Sequence, residues 1–272
     1  MIGGSGFLGQ RITRQACLAG HSVIATCHES IPRTAAADWR VLDIRRREDT
    51  MALALDVRPG VIVNAASRQS DWATTADGAA HVALAAAAAG ARLVHVSSDA
   101  VFSGAAHGYD EACLPDPVTP YGAAKAAAET AVKCVIPAAV IARTSLIIGD
   151  GDSKHERLVH ALASGAEAGV LYTDDVKCPV HVTDLASALL EVAASSQAGV
   201  CHLAGTDAIS RYELGLLIAA RDGLDQAALP VGLRAAIGSP GGLDVRLDST
   251  KTQAHLTTRL RGAREFLAPT RT

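Results

Sequence analysis

Short runs of β-branched and aliphatic residues alternate along the chain with longer segments whose apolar positions follow a helical period. The apolar runs are continuous, as expected for parallel strands that are covered on both faces. The predicted strands cover residues 23–26, 61–63, 93–96, 139–142 and 199–203. The predicted helices cover residues 8–19, 47–57, 77–89, 121–133 and 183–194. This repeated unit predicts an α/β protein with a doubly wound parallel sheet.

The regular alternation loosens after Gly149. A short helix is predicted near residues 156–164, and strand-like segments follow at 170–172 and 180–182, before the chain rejoins the sheet at 200–203. We therefore predict a sheet domain over residues 1–150, to which residues 184–208 return. Residues 151–183 and 209–272 are predicted to form a smaller C-terminal substrate-binding lobe.

Glycines recur at three-residue spacing at the start of the chain, in the segment Gly3-Gly4-Ser5-Gly6-Phe7-Leu8-Gly9. Glycines permit a tight turn and a close backbone approach to a pyrophosphate, and the following helix offers its N-terminal N–H groups to the phosphate charge. The segment predicts the phosphate loop of a Rossmann-type dinucleotide site. On its own this signal is weak, because glycine-rich loops are common.

A dinucleotide-binding unit needs a strand before its glycine loop, yet only Met1 and Ile2 precede Gly3. We expect these two residues to occupy the C-terminal end of the central strand position. We also expect the natural protein to have about five to eight further apolar residues upstream, the usual length of a buried strand. A chain without them is expected to be less stable, because neighbouring strands would leave backbone groups unpaired.

Two predicted strands end in residues that suit a cofactor or a reaction. The strand at 61–63 leads into Asn64-Ala65-Ala66, where small residues would let a cofactor lie across the strand end. The strand at 93–96 leads into Ser97-Ser98-Asp99.

About twenty residues later Tyr121 and Lys125 stand four apart, on one face of a predicted helix. An ammonium near a phenol favours the ionised phenol, so we expect Lys125 to lower the pKa of Tyr121.

These segments together resemble the extended short-chain dehydrogenases/reductases, and more closely their dTDP-4-dehydrorhamnose reductase branch. The resemblance covers nearly the whole chain. It rests on the glycine loop, Asn64-Ala65-Ala66, Tyr121-xxx-Lys125 and four longer stretches: residues 94–104, 142–145, 178–186 and 243–248.

The resemblance implies a role for each matching residue. Tyr121 would donate a proton to the substrate carbonyl, Ser98 would hydrogen-bond its oxygen, and Lys125 would hold the nicotinamide ribose and lower the Tyr121 pKa. Hydride would come from the nicotinamide cofactor. The resemblance also implies that Ser67, Asp99, Val101 and Arg143 contact the substrate.

Three departures from the family pattern fall near the substrate. Ala100 stands where the family usually has a tyrosine, residues 67–72 replace a segment that usually contains threonine, valine and aspartate, and Leu146 stands where an aromatic residue is common. The resemblance therefore supports the reaction class more strongly than the identity of the sugar.

The choice of cofactor depends on the end of the second strand. NAD-preferring enzymes often carry a carboxylate there, whereas this chain has Cys27 followed by His28 and Glu29. His28, Ser30 and Arg33 would meet a 2′-phosphate, which favours NADPH over NAD. Asp43 and Ile44 are expected to lie beside the adenine.

Composition narrows the functional classes. The formal net charge of −3 gives no reason to expect a nucleic-acid partner. Six scattered cysteines without a CxxC pair indicate reduced thiols in the cytoplasm, and the histidines show no metal-ligand spacing. The longest apolar stretch, residues 82–91, is too short to span a bilayer. The expected partner is a small molecule, in particular a nucleotide sugar, and the resemblance leaves room for a homodimer.

Three functions stay open at this stage. The favoured one is an NAD(P)H-dependent reductase of a keto group, in particular the 4-keto group of a nucleotide-linked deoxysugar. The second is an epimerase or dehydratase of the same superfamily, which would recycle its cofactor. The third is a non-catalytic regulatory subunit that keeps the fold, since fold alone does not fix function. Oxidation of NADPH in the presence of dTDP-keto sugars would distinguish them.

Overall fold

The computed structural model describes residues 1–32, 37–106, 108–238 and 241–269. Its helices are α1 Phe7–Leu18, α2 Arg47–Val57, α3 Gly78–Ala88, α4 Pro120–Val135, α5 Lys154–Ala163, α6 Val182–Ala194, α7 Arg211–Asp222, α8 Thr250–Gln253 and α9 Ala263–Phe266. Its strands are β1 Ile24–Cys27, β2 Asp38–Val41, β3 Val61–Asn64, β4 Arg92–Ser98, β5 Val140–Thr144, β6 Ile147–Ile148, β7 Leu171–Tyr172, β8 Val176–Lys177, β9 Val180–His181, β10 Gly199–Leu203, β11 Ile209–Ser210 and β12 Val231–Gly232.

The main sheet is parallel, as the continuous apolar runs predict. Four strands are hydrogen-bonded in the order β10-β5-β4-β3, and β1 pairs with β2 beside them. Met1 and Ile2 connect the two groups: the Ile2 amide donates to Val63 O (2.9 Å), and the Thr26 amide donates to Met1 O (2.9 Å). These two residues therefore lie at the C-terminal end of the central strand position, as predicted.

Helices cover both faces of the sheet and bury two apolar layers. On one face Leu8 and Ile12 of α1 pack with Leu185 and Leu189 of α6. On the other face Val82 of α3 packs with residues of α4 and with the sheet. All five predicted strands and all five predicted helices of the sheet domain are confirmed to within about two residues at each end, and so is the doubly wound α/β class.

The segments after Gly149 build a separate apolar cluster. Its buried members come from α5, β7, α7 and α9 and include Val159, Leu171, Ile218 and Leu267. The strands here are two residues long and pair in small sheets, such as β11 with β8 and β12 with β7. This cluster supports the smaller lobe, whose boundaries remain a prediction. In the part of the chain that the structure describes, no helix is long and apolar enough to cross a membrane.

Helix α4 is fixed at its start by its own sequence. Thr119 caps the helix by accepting a hydrogen bond from the Gly122 amide (3.0 Å), and Pro120 occupies the first turn, where its missing N–H costs nothing. Gly122 lies so close to the turn after β4 that a Cβ there would stand 2.1 Å from Ala100 O. The cap and this contact set the position of Tyr121 against the end of β4.

Candidate active site

The glycine loop forms a tight turn between Ile2 and α1. Gly3 has φ +75°, and a Cβ on it would lie 2.8 Å from the Ala66 amide nitrogen. Gly6 is the N-cap of α1, and the first turn of the helix carries no acidic side chain. Ser5 lies inside the turn, while Phe7 and Leu8 line the adjoining cleft. This arrangement fits the pyrophosphate of a dinucleotide, because it offers free helix N–H groups without a competing negative charge.

Gly9 is the glycine on which the turn depends most. A Cβ on Gly9 would stand 2.1 Å from Gly3 O. We expect Gly9→Ala to lower the stability of the protein by about 1–3 kcal/mol and to weaken NADPH binding, because backbone must move to relieve the clash. Thermal unfolding and a fluorescence titration with NADPH measure both effects. Gly60→Ala is the matched control, since a Cβ there meets nothing within 4 Å; equal behaviour of the two variants would contradict the prediction.

The end of β3 supports the cofactor edge of the cleft. Asn64 is buried, and its side-chain oxygen accepts a hydrogen bond from the Ala66 amide (3.1 Å). Its Nδ2 atom lies 3.3 Å from Nδ1 of the fully buried His95. Ala65 and Ser67 line the cleft. Asn64 thus holds the backbone that follows β3, and the small residues Ala65 and Ser67 face the space where a cofactor would lie.

A chain of polar contacts joins the ends of β4 and β5. Ser98 Oγ accepts from the Ala100 amide (3.2 Å) and donates to Asp99 Oδ1 (3.1 Å). Ser145 Oγ donates to the other carboxylate oxygen of Asp99 (2.6 Å) and accepts from the Cys178 amide (3.2 Å). The hydrogen bonds from Ser98 and Ser145 therefore hold the Asp99 carboxylate in place. Burial raises the pKa of the nearby Cys178 thiol to about 11, and the charge of Asp99 adds to this effect.

Tyr121 reaches the end of β4 from the first turn of α4 and lines the cleft together with Ser67 and Ser98. Burial raises the pKa of the phenol, and the Asp99 carboxylate raises it further, while the nearby hydroxyls of Ser67 and Ser98 act in the opposite direction. The expected lowering of the Tyr121 pKa by Lys125 is therefore wrong for the protein's own side chains, because burial dominates. A phenol that stays protonated at neutral pH suits a proton donor.

Lys125 is 2% exposed and donates through Nζ to Val96 O (2.6 Å). Burial lowers the pKa of its ammonium to about 8, and the Glu129 carboxylate opposes that effect. Burial, with a smaller effect from Lys125, also holds the pKa of His95 well below its usual range, so His95 stays neutral. Ser98, Tyr121 and Lys125 all line one cleft, so the structure brings the three predicted catalytic residues together.

The predicted adenosine end of the site lies at the ends of β1 and β2. His28 Nε2 is 3.5 Å from Asp43 Oδ2 and 3.3 Å from Arg45 Nη2. Arg45 donates to both carboxylate oxygens of Asp43, and this contact holds the pKa of Asp43 well below its usual range. Ile44 is buried against Gly78. Arg33 lies outside the described residues.

Two residues predicted to contact the substrate lie elsewhere. Val101 is fully buried in an apolar cluster with Phe102 and Tyr109. Arg143 is 1% exposed, donates to both carboxylate oxygens of Glu129 (3.0 and 2.8 Å) and to Cys113 O (3.0 Å), and stacks over Phe102. The expectation of substrate contact is therefore wrong for both side chains. The side chain of Val101 packs in the apolar cluster, and that of Arg143 forms a buried ion pair with Glu129.

The cleft has a volume of about 1470 Å³ and continues from the end of the sheet to the second lobe. Its far part is lined by basic side chains, those of Lys154, His155, Arg157, Lys177, Arg211 and Arg234. The buried Asp175 contacts three of these cations, at 2.6 Å from Lys177, 3.3 Å from Arg211 and 3.2 Å from Arg234. Burial opposes the charge of Asp175, yet these cations hold its pKa below the usual range. His155 stays neutral, because burial lowers its pKa to about 3. The other five basic side chains still outnumber the carboxylates of Asp175 and Asp152, so this end of the cleft carries a positive excess.

Sequence reasoning missed this basic region and Ser145, Glu129 and Arg45. The basic residues come from β8, α5, α7 and the segment after β12, which are far apart in the chain and have no motif spacing. Arg45 stands in a short run of three arginines followed by Glu48 and Asp49, a pattern that indicates only a solvated helix start. Ser145 had a usable signal, because it follows a predicted strand in the same way as Ser98. Among the described residues, no group of three His, Cys, Asp or Glu side chains is placed to hold a metal ion.

Comparisons with known proteins agree with this geometry. The chain matches the family described as the RmlD substrate binding domain over residues 1–268. It is 30% identical over 230 residues to dTDP-4-dehydrorhamnose reductase of Mycobacterium tuberculosis, covering 78% of this chain and 71% of that protein. It is also 28% identical over 242 residues to methionine adenosyltransferase 2 subunit beta of Rattus norvegicus, covering 81% and 72%.

Solved structures show the same fold. The dTDP-4-dehydrorhamnose reductase of Bacillus anthracis in complex with NADP superposes with a TM-score of 0.81 at 23% identity, covering 98% of this chain and 95% of that one. MoeE5 in complex with UDP-glucuronic acid and NAD gives a TM-score of 0.82 at 22% identity, with the same coverage. The chain therefore belongs to the RmlD substrate binding domain family, the dTDP-4-dehydrorhamnose reductase-like branch of the extended short-chain dehydrogenases/reductases, and is an NAD(P)-dependent oxidoreductase.

Proposed function

We propose that this protein uses NADPH, with NADH as the weaker alternative, to reduce the 4-keto group of a nucleotide-linked deoxysugar. The observation that carries the proposal is one continuous cleft, with Ser98, Tyr121 and Lys125 at the sheet end and a cluster of cations at the other. A keto sugar would lie at the sheet end, and the diphosphate of its nucleotide would lie among the cations. The relative from Mycobacterium tuberculosis and the nucleotide-sugar complex of MoeE5 support this substrate class.

Each side chain of the set has a defined task in this reduction. Bound nicotinamide would supply a hydride to the carbonyl carbon. Tyr121 gives its phenolic proton to the oxygen, which becomes a hydroxyl. The Ser98 proton is shared with Asp99, so Ser98 exchanges that contact for the carbonyl oxygen. Lys125 would hold the ribose hydroxyls of the cofactor and place positive charge near the phenolate that remains.

The proposed preference for NADPH rests on the ends of β1 and β2. No carboxylate follows the strand directly at Cys27, and the side chain of the nearest acid, Glu29, is 81% exposed. His28 lies beside the Arg45 guanidinium. Nε and Nη2 of Arg45 already donate to Asp43, so a 2′-phosphate would be met by His28 and by the remaining Nη1 of Arg45. A guanidinium matches phosphate geometry well. One of the solved structures is a complex with NADP and another is a complex with NAD, so the preference rests on the residues of this chain.

Arg211 is expected to bind the diphosphate of the substrate. We expect Arg211→Met to raise KM for a dTDP-keto sugar about tenfold or more, because a hydrogen bond to a charged group is lost, while kcat and NADPH affinity stay close to those of the wild type. Steady-state kinetics and a cofactor titration measure this. Arg264→Met is the matched control, since Arg264 is half-exposed and pairs with Glu213 at the surface. An equal KM in both variants would count against the placement of the diphosphate.

The activity itself is tested by following NADPH oxidation with dTDP-4-dehydrorhamnose and identifying the product. A reductase consumes one NADPH for each sugar reduced. An epimerase or dehydratase recycles its cofactor, so it would change the sugar without net NADPH oxidation. The dehydratase is disfavoured because Ala100, and no glutamate, follows Asp99.

The similarity to methionine adenosyltransferase 2 subunit beta supports, as a second candidate, a further role of this protein as a subunit of another enzyme. NADPH binding without turnover of any nucleotide keto sugar would favour it. The intact set of Ser98, Tyr121 and Lys125 favours the enzyme. The cytoplasmic location, the homodimer and the boundaries of the two lobes remain predictions from the sequence.

A further inference from the structure

A buried carboxylate lies directly behind the catalytic side chains. Glu129 follows Lys125 by one turn of α4 and is 1% exposed. It accepts hydrogen bonds from Ser97 Oγ (2.6 Å), Arg143 Nε (3.0 Å) and Arg143 Nη2 (2.8 Å). A carboxylate is buried only when its charge is balanced and its oxygens are hydrogen-bonded, and Glu129 meets both conditions.

The partners of Glu129 lie on the strands that build the site. Ser97 directly precedes Ser98 at the end of β4. Arg143 lies on β5, two residues before Ser145, which holds Asp99. Glu129 therefore connects the helix that carries Tyr121 and Lys125 to both strands whose ends form the rest of the cleft. A shift of any of these elements would stretch its hydrogen bonds.

The same carboxylate also acts on the charge of Lys125. Among the described residues, the titratable groups that interact with Lys125 are Glu129, on its own helix, and His95, on β4. His95 is neutral, and the hydrogen-bond acceptor of the ammonium, Val96 O, carries no charge. Burial lowers the pKa of Lys125 to about 8, and Glu129 is the group that opposes this. Without Glu129, Lys125 would lose its proton at a lower pH.

We propose that Glu129 is a positioning residue for the reduction, which keeps Lys125 in its ammonium form and ties helix α4 to strands β4 and β5. The turnover readout of this proposal rests on the proposed function. The cofactor-binding readout does not, because it needs no sugar substrate.

The charge effect and the structural effect can be separated by two variants. Glu129→Gln leaves Arg143 buried without its counter-charge, so it is expected to lower stability as well. The double variant Glu129→Gln/Arg143→Met removes both charges and is expected to recover most of the thermal stability. Glu129→Asp keeps the carboxylate. The matched control is Glu156→Gln/Arg221→Met, because Glu156 is also fully buried and Arg221 pairs with it at 2.8 Å, in another part of the fold.

The measurements are kcat/KM from pH 6 to 9.5 and the Kd for NADPH over the same range. In the double variant we expect the alkaline limb of both profiles to move to lower pH by about one unit. Glu129→Asp should restore the wild-type limb, and the Glu156/Arg221 control should leave it in place.

A folded double variant with the wild-type alkaline limb would overturn the proposal, and so would a double variant that is unfolded, because Glu129 would then serve folding alone. A wild-type protein that binds NADPH but reduces no dTDP-keto sugar would refute the proposed function. The Kd profile would still decide the role of Glu129.

Discussion

Replacing Tyr121 by Phe is expected to reduce kcat for keto-sugar reduction to about 1% of the wild-type value or less. Proton transfer by a positioned side chain contributes typically 10²–10⁴-fold to a rate, and the substitution removes the only phenol hydroxyl assigned to that task. The change deletes one oxygen from a side chain that already lies against the end of β4, so little volume is lost. Affinity for NADPH should stay within about twofold, since the loss acts on the transition state.

The matched control for this substitution is Tyr212→Phe. Tyr212 lies in α7, partly buried in the apolar cluster of the second lobe and outside the cleft. Both variants should unfold at nearly the wild-type temperature, which separates a chemical defect from a folding defect. If Tyr121→Phe kept a kcat close to that of the wild type, Tyr121 could not be the proton donor.

The raised pKa of Tyr121 also sets the direction of the pH dependence. Reduction requires the protonated phenol, and burial keeps the phenol protonated above its ordinary range. Tyr121 alone would therefore limit the rate only in strongly alkaline solution. Lys125, whose pKa is about 8, loses its charge earlier. The alkaline limb of the wild-type profile is thus expected to report Lys125 rather than Tyr121.

The sequence predicted the sheet, and it predicted that Ser98, Tyr121 and Lys125 lie close together, because both depend on local patterns. Parallel strands covered on two faces require continuous apolar runs, and the ends of such strands meet at one edge of the sheet. Ser98 at the end of β4 and Tyr121 at the start of α4 were therefore expected to meet, and they line one cleft. The four-residue spacing placed Lys125 on the same helix face.

Arg143 shows where this kind of inference fails. An arginine at the end of a strand beside the active site has the right position and charge for a substrate contact. Its partner Glu129 lies 14 residues earlier, on the helix before the strand, and only the packed structure shows that the two side chains meet. The family pattern could not separate a residue that binds substrate from one that holds the binding elements together.

The direction of the Tyr121 pKa was missed for a related reason. The spacing of Tyr121 and Lys125 indicates that two groups share a face, but it contains no information about burial. In the folded protein burial has the larger effect on the phenol, and the Lys125 ammonium is directed to Val96 O. The basic end of the cleft could not be predicted from the sequence, because Lys177 and Arg211 lie far apart in the chain and only tertiary folding brings them together.

Replacing Lys125 by Met is expected to lower kcat about 100-fold or more and to weaken NADPH binding, while making the protein more stable at neutral pH. One ammonium is assigned two tasks, holding the cofactor ribose and placing positive charge beside the phenol, so both readouts should change. Met is similar in length and apolar, so it fills the space of the lysine stem without the charge.

The gain in stability follows from the pKa of Lys125. Its folded-state pKa of about 8 lies below the ordinary lysine value of 10.5, so burying the ammonium costs about 3 kcal/mol at pH values below 8. As the pH rises from about 8 to 10.5, the folded protein releases this proton while the unfolded chain keeps it, and the wild type gains stability. The Lys125→Met variant does not have the free-energy cost of burying an ammonium at neutral pH. It also does not gain stability as the pH rises, because it has no proton to release.

Thermal unfolding of wild type and Lys125→Met at pH 7 and pH 10 tests this directly. The variant should unfold at a higher temperature than the wild type at pH 7, and the difference should shrink at pH 10. Such an exchange of stability for function is expected where a catalytic group is held in an unfavourable environment. A variant that is less stable at pH 7 would show that the hydrogen bond from Lys125 to Val96 O outweighs the cost of burial. Unchanged NADPH affinity together with an unchanged pH–rate profile would remove Lys125 from the catalytic set.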